Sequence, residues 1–384
     1  MSSFLDPYRA VAREPAVLQV LRPDGSVDEN LMQQGARLGD REVLRLYEIM
    51  VKARILDRQA MTLQRQGRIK GTYAPSEGHE AADVGSSCLL RPDDWVFPQY
   101  RQLGVIITRG VPLVTLLCKL MGNSGDPNKG RQLPVEWGFR EQNIVTLGAP
   151  IGANIIHAVG AAWAMKYRGK DTITMAYFGD GGTSSNDFHS GANFAAVFRV
   201  PTVLVCENNR YAISVPVERQ TAVPKLSMKA LAYGMEGITV DGMDLFAVYK
   251  ASHYAVEKAR REKLPTLLEC LTYRFGPHTT ADDPLTRYRP AEEVEEWKRK
   301  DPLIRLKIYL INAGAMTEAD DRQLWARISE EIRAAIREAE AYPPVKPEEL
   351  VTDVYESVDW HLREEFEEIM RAREVETLAR GQHG

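Results

Sequence analysis

Apolar residues change their spacing several times along the chain, and each change predicts an element. Between residues 40 and 66 they recur at helical intervals (Val43, Leu44, Leu46, Tyr47, Met50, Val51), which predicts a helix with Asp40 as its N-cap. A second helix is expected after the turn Pro75-Ser-Glu-Gly78. Residues 122–143 are rich in Gly, Pro and Asn and show no period, so they read as a long loop, of the kind that is usually functional or disordered. Downstream, helical stretches alternate with buried apolar runs. Helices are expected at 155–168, 186–199, 226–234 and 245–261, and strands at 172–178, 202–206, 238–240 and 265–273. Strands alternating with helices predict an α/β fold built on a doubly wound, mostly parallel sheet covered on both faces.

The flanks read differently. Residues 1–40 form an N-terminal arm, broken by Pro15, Pro23, Gly25 and Gly35. The α/β domain is expected over 41–290. The C-terminal region, 291–384, is charged and helical (291–307, 318–341 and 364–379), with a proline-rich joint at 342–347. Its charge runs read as solvated helix faces or subunit contacts.

Two loops carry the candidate chemistry. Gly179-Asp180-Gly181-Gly182 follows the strand ending at Phe178, and Asn208-Asn209-Arg210-Tyr211 follows the strand ending at Cys206. In a doubly wound sheet, ligands sit beyond the carboxyl ends of the strands, so both loops emerge at the binding edge. The glycines let backbone amides approach a phosphate, and the following helix start favours an anion. Asp180 and Asn209 are oxygen donors of the kind an Mg2+ octahedron takes together with phosphate oxygens. Taken alone, each loop is an ordinary turn; the pairing makes the signal.

Composition narrows the alternatives. The 384 residues carry a net charge of −4, so no global basic field points to nucleic acid or to a membrane surface. No apolar run is long enough to span a bilayer. Cys88, Cys118, Cys206 and Cys270 lie far apart with no Cys-x-x-Cys pair, as expected of reduced thiols in a cytoplasmic protein. Acidic residues among the first thirty argue against a targeting peptide. The nucleotide fingerprints Gly-x-Gly-x-x-Gly and Gly-x-x-x-x-Gly-Lys-Ser/Thr are missing, which disfavours a nucleotide-binding α/β enzyme. A non-catalytic scaffold of the same fold would have no use for Asp180 and Asn209.

The paired loops resemble the thiamine diphosphate motif. With Phe97-Pro-Gln-Tyr-Arg101, Asn128-Lys-Gly-Arg-Gln-Leu-Pro134, Val240-Asp-Gly-Met-Asp244 and Tyr273-Arg-Phe-Gly-Pro-His278, the chain is similar to the alpha subunits of 2-oxo acid dehydrogenases. The resemblance runs from about residue 21 to 289 and more weakly beyond. It implies thiamine diphosphate-dependent oxidative decarboxylation of a 2-oxo acid, with the acyl group passing to a lipoyl-bearing acyltransferase component. It further implies Mg2+ held by Asp180, Asn209 and the carbonyl of Tyr211. Gln99, Tyr100, Arg101, Ala149, Pro150, Ile151, Gly179, Gly181, Gly182, Ala212, Ile213 and His278 would line the cofactor, with Arg101 on the diphosphate and His278 as the catalytic residue. Thr72, Tyr100 and Glu136 would face the substrate. His79 reads as a cap or packing residue, and His157, His189 and His253 as structural.

A thiamine enzyme needs a second α/β domain to supply a glutamate to the aminopyrimidine, and this chain has sequence for one. The resemblance therefore implies a transketolase-like beta subunit in an α2β2 heterotetramer. Small residues on the expected helices at 155–168 and 186–199 suit close subunit packing. The substrate reading leans to a branched-chain 2-oxo acid through the loop at 128–134. Pyruvate is the alternative, since Glu207 and the stretch Gly148-Ala-Pro-Ile-Gly-Ala-Asn154 are pyruvate-like; acetoin is more distant. That stretch lacks the hydroxyls with which branched-chain members bind potassium. Glu136 stands where those members carry a histidine.

Overall fold

The computed structural model describes residues 14–281, 288–352 and 354–381. Expectations that fall on residues 1–13 or on 282–287 of the loop after His278 lie outside the described residues. Strands β1 (Trp95–Phe97), β2 (Thr174–Gly179), β3 (Thr202–Asn208), the short β4 (Tyr211–Ala212) and β5 (Val215–Pro216), β6 (Glu236–Asp241) and β7 (Thr266–Leu271) follow in chain order. Five of them form one parallel sheet in the order β1-β2-β3-β7-β6, while β4 and β5 pair as a small antiparallel ribbon. β3 is buried at every position and β2 at all but its last, because helices cover both faces of the sheet. This is the α/β architecture expected from the alternating pattern.

One face packs against Ala153–Tyr167 and Asn186–Val197, where Phe178, Phe188 and the alanines of both helices form a core of their own. The other face packs against Glu80–Ser87 and Leu245–Glu262 in a larger core. That larger core takes in Leu303, Leu306 and Leu310 of Pro302–Asn312, and Ile328, Ile332 and Ile336 of Glu318–Glu340. The helices beyond residue 290 thus present apolar faces inward as well as charged faces outward.

The arm is docked along the sheet. Leu18 bridges Val240 in parallel, extending the sheet beyond β6, and Val20 and Leu21 are fully buried. The amides of Val20 and Leu21 donate to Asp244 Oδ2 at 2.6 and 2.7 Å.

Several expectations are corrected. Gly39 is the N-cap of Asp40–Arg65, and Asp40 is the first helical residue, where its charge still meets the positive end of the helix. Leu226–Tyr233 is a 3-10 helix. The helix expected over 291–307 divides into Ala291–Lys298 and Pro302–Asn312, because Asp301 caps the second piece and Pro302 has no N–H with which to continue the first. β1 and the helices Leu103–Thr108 and Leu113–Met121 had no counterpart in the pattern: a three-residue strand shows no period, and Leu-Gly-Val-Ile-Ile-Thr is apolar nearly throughout. All four cysteines are free thiols. Among the described residues, no helix is long and apolar enough to cross a membrane.

Candidate functional site

The carboxyl ends of β2 and β3 lie side by side, with Gly179 in register with Glu207. The chain beyond Gly179 turns through the short 3-10 helix Asp180–Ser184 into the helix Asn186–Val197, whose N-cap Ser185 accepts from the amide of Phe188 at 3.1 Å. The chain beyond Asn208 runs through Asn209 and Arg210 into the β4–β5 ribbon. Between these segments opens a cavity of about 340 Å³. Gln99, Tyr100, Arg101, Ile151, Gly179, Asp180, Gly181, Gly182, Asn209, Tyr211, Ala212, Ile213 and His278 all line it, together with Arg274. Residues scattered over 180 positions of sequence thus converge where the topology places the binding edge.

Four of the expected residues stand elsewhere. Ala149 and Pro150 occupy an exposed bend just before Ile151 and are not part of the lining. Thr72 is exposed, and Glu136 is half-buried with Oε2 accepting from the amide of Leu133 at 3.2 Å; neither lines the cavity.

Local structure explains the convergence. A Cβ on Gly181 would stand 2.7 Å from the Cβ of Ala212, so the ribbon can press against the turn only because that position is glycine. The ribbon itself is strained: Arg210 and the β-branched Ile213 adopt φ of 72° and 56°. Asn208 anchors its base, donating through Nδ2 to Glu269 Oε1 at 2.8 Å and accepting from the amide of Arg210 at 3.0 Å. Glu269 is fully buried, and its Oε2 also accepts from the amide of Ser227 and the hydroxyl of Thr239 at 3.0 and 3.1 Å. Lys229 holds the other loop, donating to the carbonyl and hydroxyl of Thr183 at 3.0 and 2.8 Å.

The cavity has one carboxylate against two guanidinium groups. Asp180 is 1 % exposed, and burial raises its carboxyl above the ordinary range against the hydrogen bond from Gln220, Nε2 to Oδ2 at 2.7 Å. Arg101 donates to the carbonyl of Pro75, to His278 Nδ1 at 3.2 Å and to the His278 carbonyl at 3.0 Å. Arg274 reaches the carbonyl of Ile213 and the hydroxyl of Tyr288, each at 2.8 Å, and among the described residues its Nε has no partner. Burial and the neighbouring charge of Arg101 push Arg274 down to about 10. A guanidinium has only donors, so His278 Nδ1 must accept and the imidazole carries its proton on Nε2. The ring stands edge-on to Tyr100 at 5.7 Å between centroids.

The turn Pro75-Ser-Glu-Gly78 supports this side of the site. A Cβ on Gly78 would strike the carbonyl of Tyr273, and the backbone of Tyr73 pairs with Thr280, two residues past His278. Behind the lining lies a polar group that the sequence left unread. His79 Nδ1 meets Glu207 Oε2 at 2.6 Å, Gln102 donates to the same oxygen at 2.8 Å, and Gln102 in turn fixes the amide of Gln99. His79 makes no side-chain cap; it belongs to this group. Burial lifts the carboxyl of Asp83 far above its usual value, reinforced by the charge of Glu207. Arg274 and Gln220 were also missed. The only signals for them were the block Tyr273-Arg-Phe-Gly-Pro-His278, which contains Arg274, and proximity to the ribbon.

The donor set suits a divalent cation shared with an anion. Among the described residues, no group of three or more His, Cys, Asp or Glu side chains forms an all-protein metal cage. Asp180, Asn209 and Tyr211 line the cavity, with Asn209 Oδ1 accepting from the amide of Tyr211 at 3.3 Å and the Tyr211 carbonyl from Arg274 at 3.4 Å, while Arg101, Arg274 and the backbone of the Gly-Asp-Gly turn supply positive charge. Among the described residues, Gln99 Oε1 is buried without a partner. An anionic ligand carrying its own cation satisfies both sides at once.

Comparisons with known proteins give the family. The family described as "Dehydrogenase E1 component" matches residues 47–348. The chain is 40% identical over 352 residues to a pyruvate dehydrogenase E1 component subunit alpha of Staphylococcus aureus strain Mu50, covering 91% of this chain and 92% of that one. It is 39% identical over 363 residues to the protein of that name from Bacillus cereus, covering 94% of each. Fold, converging loops and similarity over nearly the whole length coincide: the chain belongs to the dehydrogenase E1 component family, as an alpha subunit of a 2-oxo acid dehydrogenase.

Proposed function

We propose that the cavity holds the diphosphate of thiamine diphosphate with Mg2+, and that the assembled enzyme decarboxylates pyruvate. The observation that carries this is the meeting of Asp180 and Asn209 with Arg101, Arg274 and His278 in one cavity. Asp180, Asn209 and the Tyr211 carbonyl would hold the cation, and Arg101 and Arg274 would neutralise the diphosphate. When bound, the cofactor supplies a thiazolium carbon that acts as nucleophile and electron sink. The chain's own part is to position groups and donate hydrogen bonds. Arg101 keeps His278 Nδ1 an acceptor, so Nε2 presents an N–H that can hydrogen-bond to an oxygen of the reacting substrate and stabilise negative charge building there.

Pyruvate is favoured over the branched-chain substrate to which the sequence leaned, because the similar relatives of Staphylococcus and Bacillus are named for pyruvate. Three partners complete the reading: a transketolase-like beta subunit in an α2β2 heterotetramer, a lipoyl-bearing acyltransferase, and the 2-oxo acid itself. The exposed Ile151 and Ile213 at the cavity rim fit coverage by such a subunit, and the reduced cysteines fit a cytoplasmic setting. The test is reconstitution with the beta subunit and measurement of kcat/KM on pyruvate and on 3-methyl-2-oxobutanoate. A higher value on pyruvate is expected; a clear preference for the branched substrate overturns the substrate assignment. In the same assay, His278→Ala should lower kcat by about 10²-fold.

A further inference from the structure

We infer that Gln220 is a positioning residue for the cation: its side-chain amide holds Asp180 by one oxygen, which makes that carboxylate a one-oxygen ligand and selects Mg2+ over Ca2+. The inference rests on the reading that the cavity takes a divalent cation with a diphosphate.

Gln220 follows the 3-10 turn Val217–Arg219 and reaches back over the ribbon to the β2 loop, 40 residues upstream. Its amide cannot swing freely, because both directions of the NH2 group are in use. Nε2 donates to Asp180 Oδ2 at 2.7 Å and to the carbonyl of Val215 at 3.0 Å. With Oδ2 engaged, Asp180 is left to offer the cavity its other oxygen. The far side of the amide carries a second observation. Among the described residues, Gln220 Oε1 is buried with no hydrogen-bond partner, and it lies 3.7 Å from where a Cβ on Gly181 would stand, against the turn that lines the cavity. A buried acceptor left unmatched costs stability, and the amide bears that cost with Nε2 turned to Asp180.

Cation choice follows from the geometry of the carboxylate. Mg2+ demands a near-ideal octahedron with single oxygens and retained water, whereas Ca2+ accepts bidentate carboxylates and more ligands. Turning both oxygens onto the cation would pull Oδ2 from its place on the amide, so the hydrogen bond disfavours that mode of ligation. Released, the carboxylate can adopt it. Outer partners of metal ligands typically change metal affinity by 10–100-fold.

The experiment uses the assembled alpha–beta enzyme and reads thiamine diphosphate binding by calorimetry as Mg2+ or Ca2+ is varied. Gln220→Met keeps the volume and removes both hydrogen bonds. It should raise the Mg2+ concentration for half-maximal binding by about 10-fold or more, and lower the Mg2+/Ca2+ preference, while turnover at saturating Mg2+ changes less. Should this variant fail to assemble, Gln220→Asn keeps the amide but falls one methylene short of Asp180, and the same two shifts are expected. An unchanged Mg2+ requirement with an unchanged Mg2+/Ca2+ ratio overturns the role of Gln220. Unmodified enzyme that binds the cofactor equally well without any divalent cation overturns the underlying reading instead, and this inference with it.

Discussion

Two buried arginines, Arg274 and Arg305, mark the difference between two regions at the carboxyl edge of the same sheet. Each is 1 % exposed, and each leaves its Nε without a partner among the described residues. Arg305 lies beyond β6, where it meets the carboxylate of Asp241 at 2.8 Å and the carbonyls of Leu21 and Lys300 at 3.0 Å. It ties the arm, the sheet and Pro302–Asn312 together. Arg274 lies beyond β7, facing the cavity, and among the described residues no carboxylate bonds to it. Its neighbours include Arg101 and Arg289, whose like charge helps to push it down. A fold gains nothing from crowding buried cations; the β6 region has its counter-charge in the chain, and the cavity region needs one from outside. Strain points the same way: positive φ at Arg210 and Ile213 falls in the ribbon beside the cavity.

The largest expected effect breaks the cavity side. Asp180→Ala removes the carboxylate of the lining, and Mg2+-dependent binding of thiamine diphosphate by the assembled enzyme should weaken by roughly a thousandfold, about 4 kcal/mol. Stability without cofactor should hold or rise, since a buried carboxyl with one side-chain partner is lost. Calorimetry at fixed Mg2+ checks the first point and thermal melting the second; unaltered affinity refutes the assignment.

Arg305→Met should do the reverse. Losing the guanidinium leaves Asp241 short of its charged partner, and takes a donor from the buried carbonyl of Leu21 and the half-buried one of Lys300, for about 3 kcal/mol of destabilisation. The melting temperature of the assembled enzyme should fall while cofactor affinity at a temperature well below the melt stays put. A loss of affinity without a loss of stability would mean that the two regions are not separate.

The smallest effect sharpens the comparison through pH. Burial and the charge of Asp241 push Asp244 up to about 6, against the backbone amides of Leu21, Val20 and Ala247, which favour the anion. The folded state therefore binds this proton more tightly than the unfolded chain does. The contribution is fully present below about pH 4 and is lost as pH rises through about 6, by up to about 3 kcal/mol for a shift of about 2 units. Melting curves of the unmodified protein and of Asp244→Asn, recorded between pH 4 and 7, should differ in slope by this amount; parallel curves would show that Asp244 is anionic throughout.

Much of this division was legible in the chain. The buried runs that became β2, β3 and β7 are mostly apolar, so hydrophobic pattern located the sheet core, and the Gly-Asp-Gly and Asn-Asn turns after β2 and β3 located the binding edge. Arg274, Gln220 and His79 were not legible. Each does its work through a partner 40 or more positions away (Tyr211, Asp180 and Glu207), and no local period encodes such a contact. Ala149 and Pro150 show the opposite case: the motif is present, but the bend that carries them leaves only Ile151 at the cavity.

By itself, the sequence determined the parallel α/β sheet and the two loops that carry Asp180 and Asn209, because apolar spacing and turn chemistry act within a few residues of chain; the family followed from the resemblance of its motif blocks. Only the tertiary structure decided that Arg305 would be matched and Arg274 left facing an open cavity. It also decided that Gln220 would grip Asp180 and that the C-terminal helices would close the main core. These outcomes depend on which distant groups the packed sheet brings within hydrogen-bonding distance, and a buried charge is stabilising or costly only according to what it then meets.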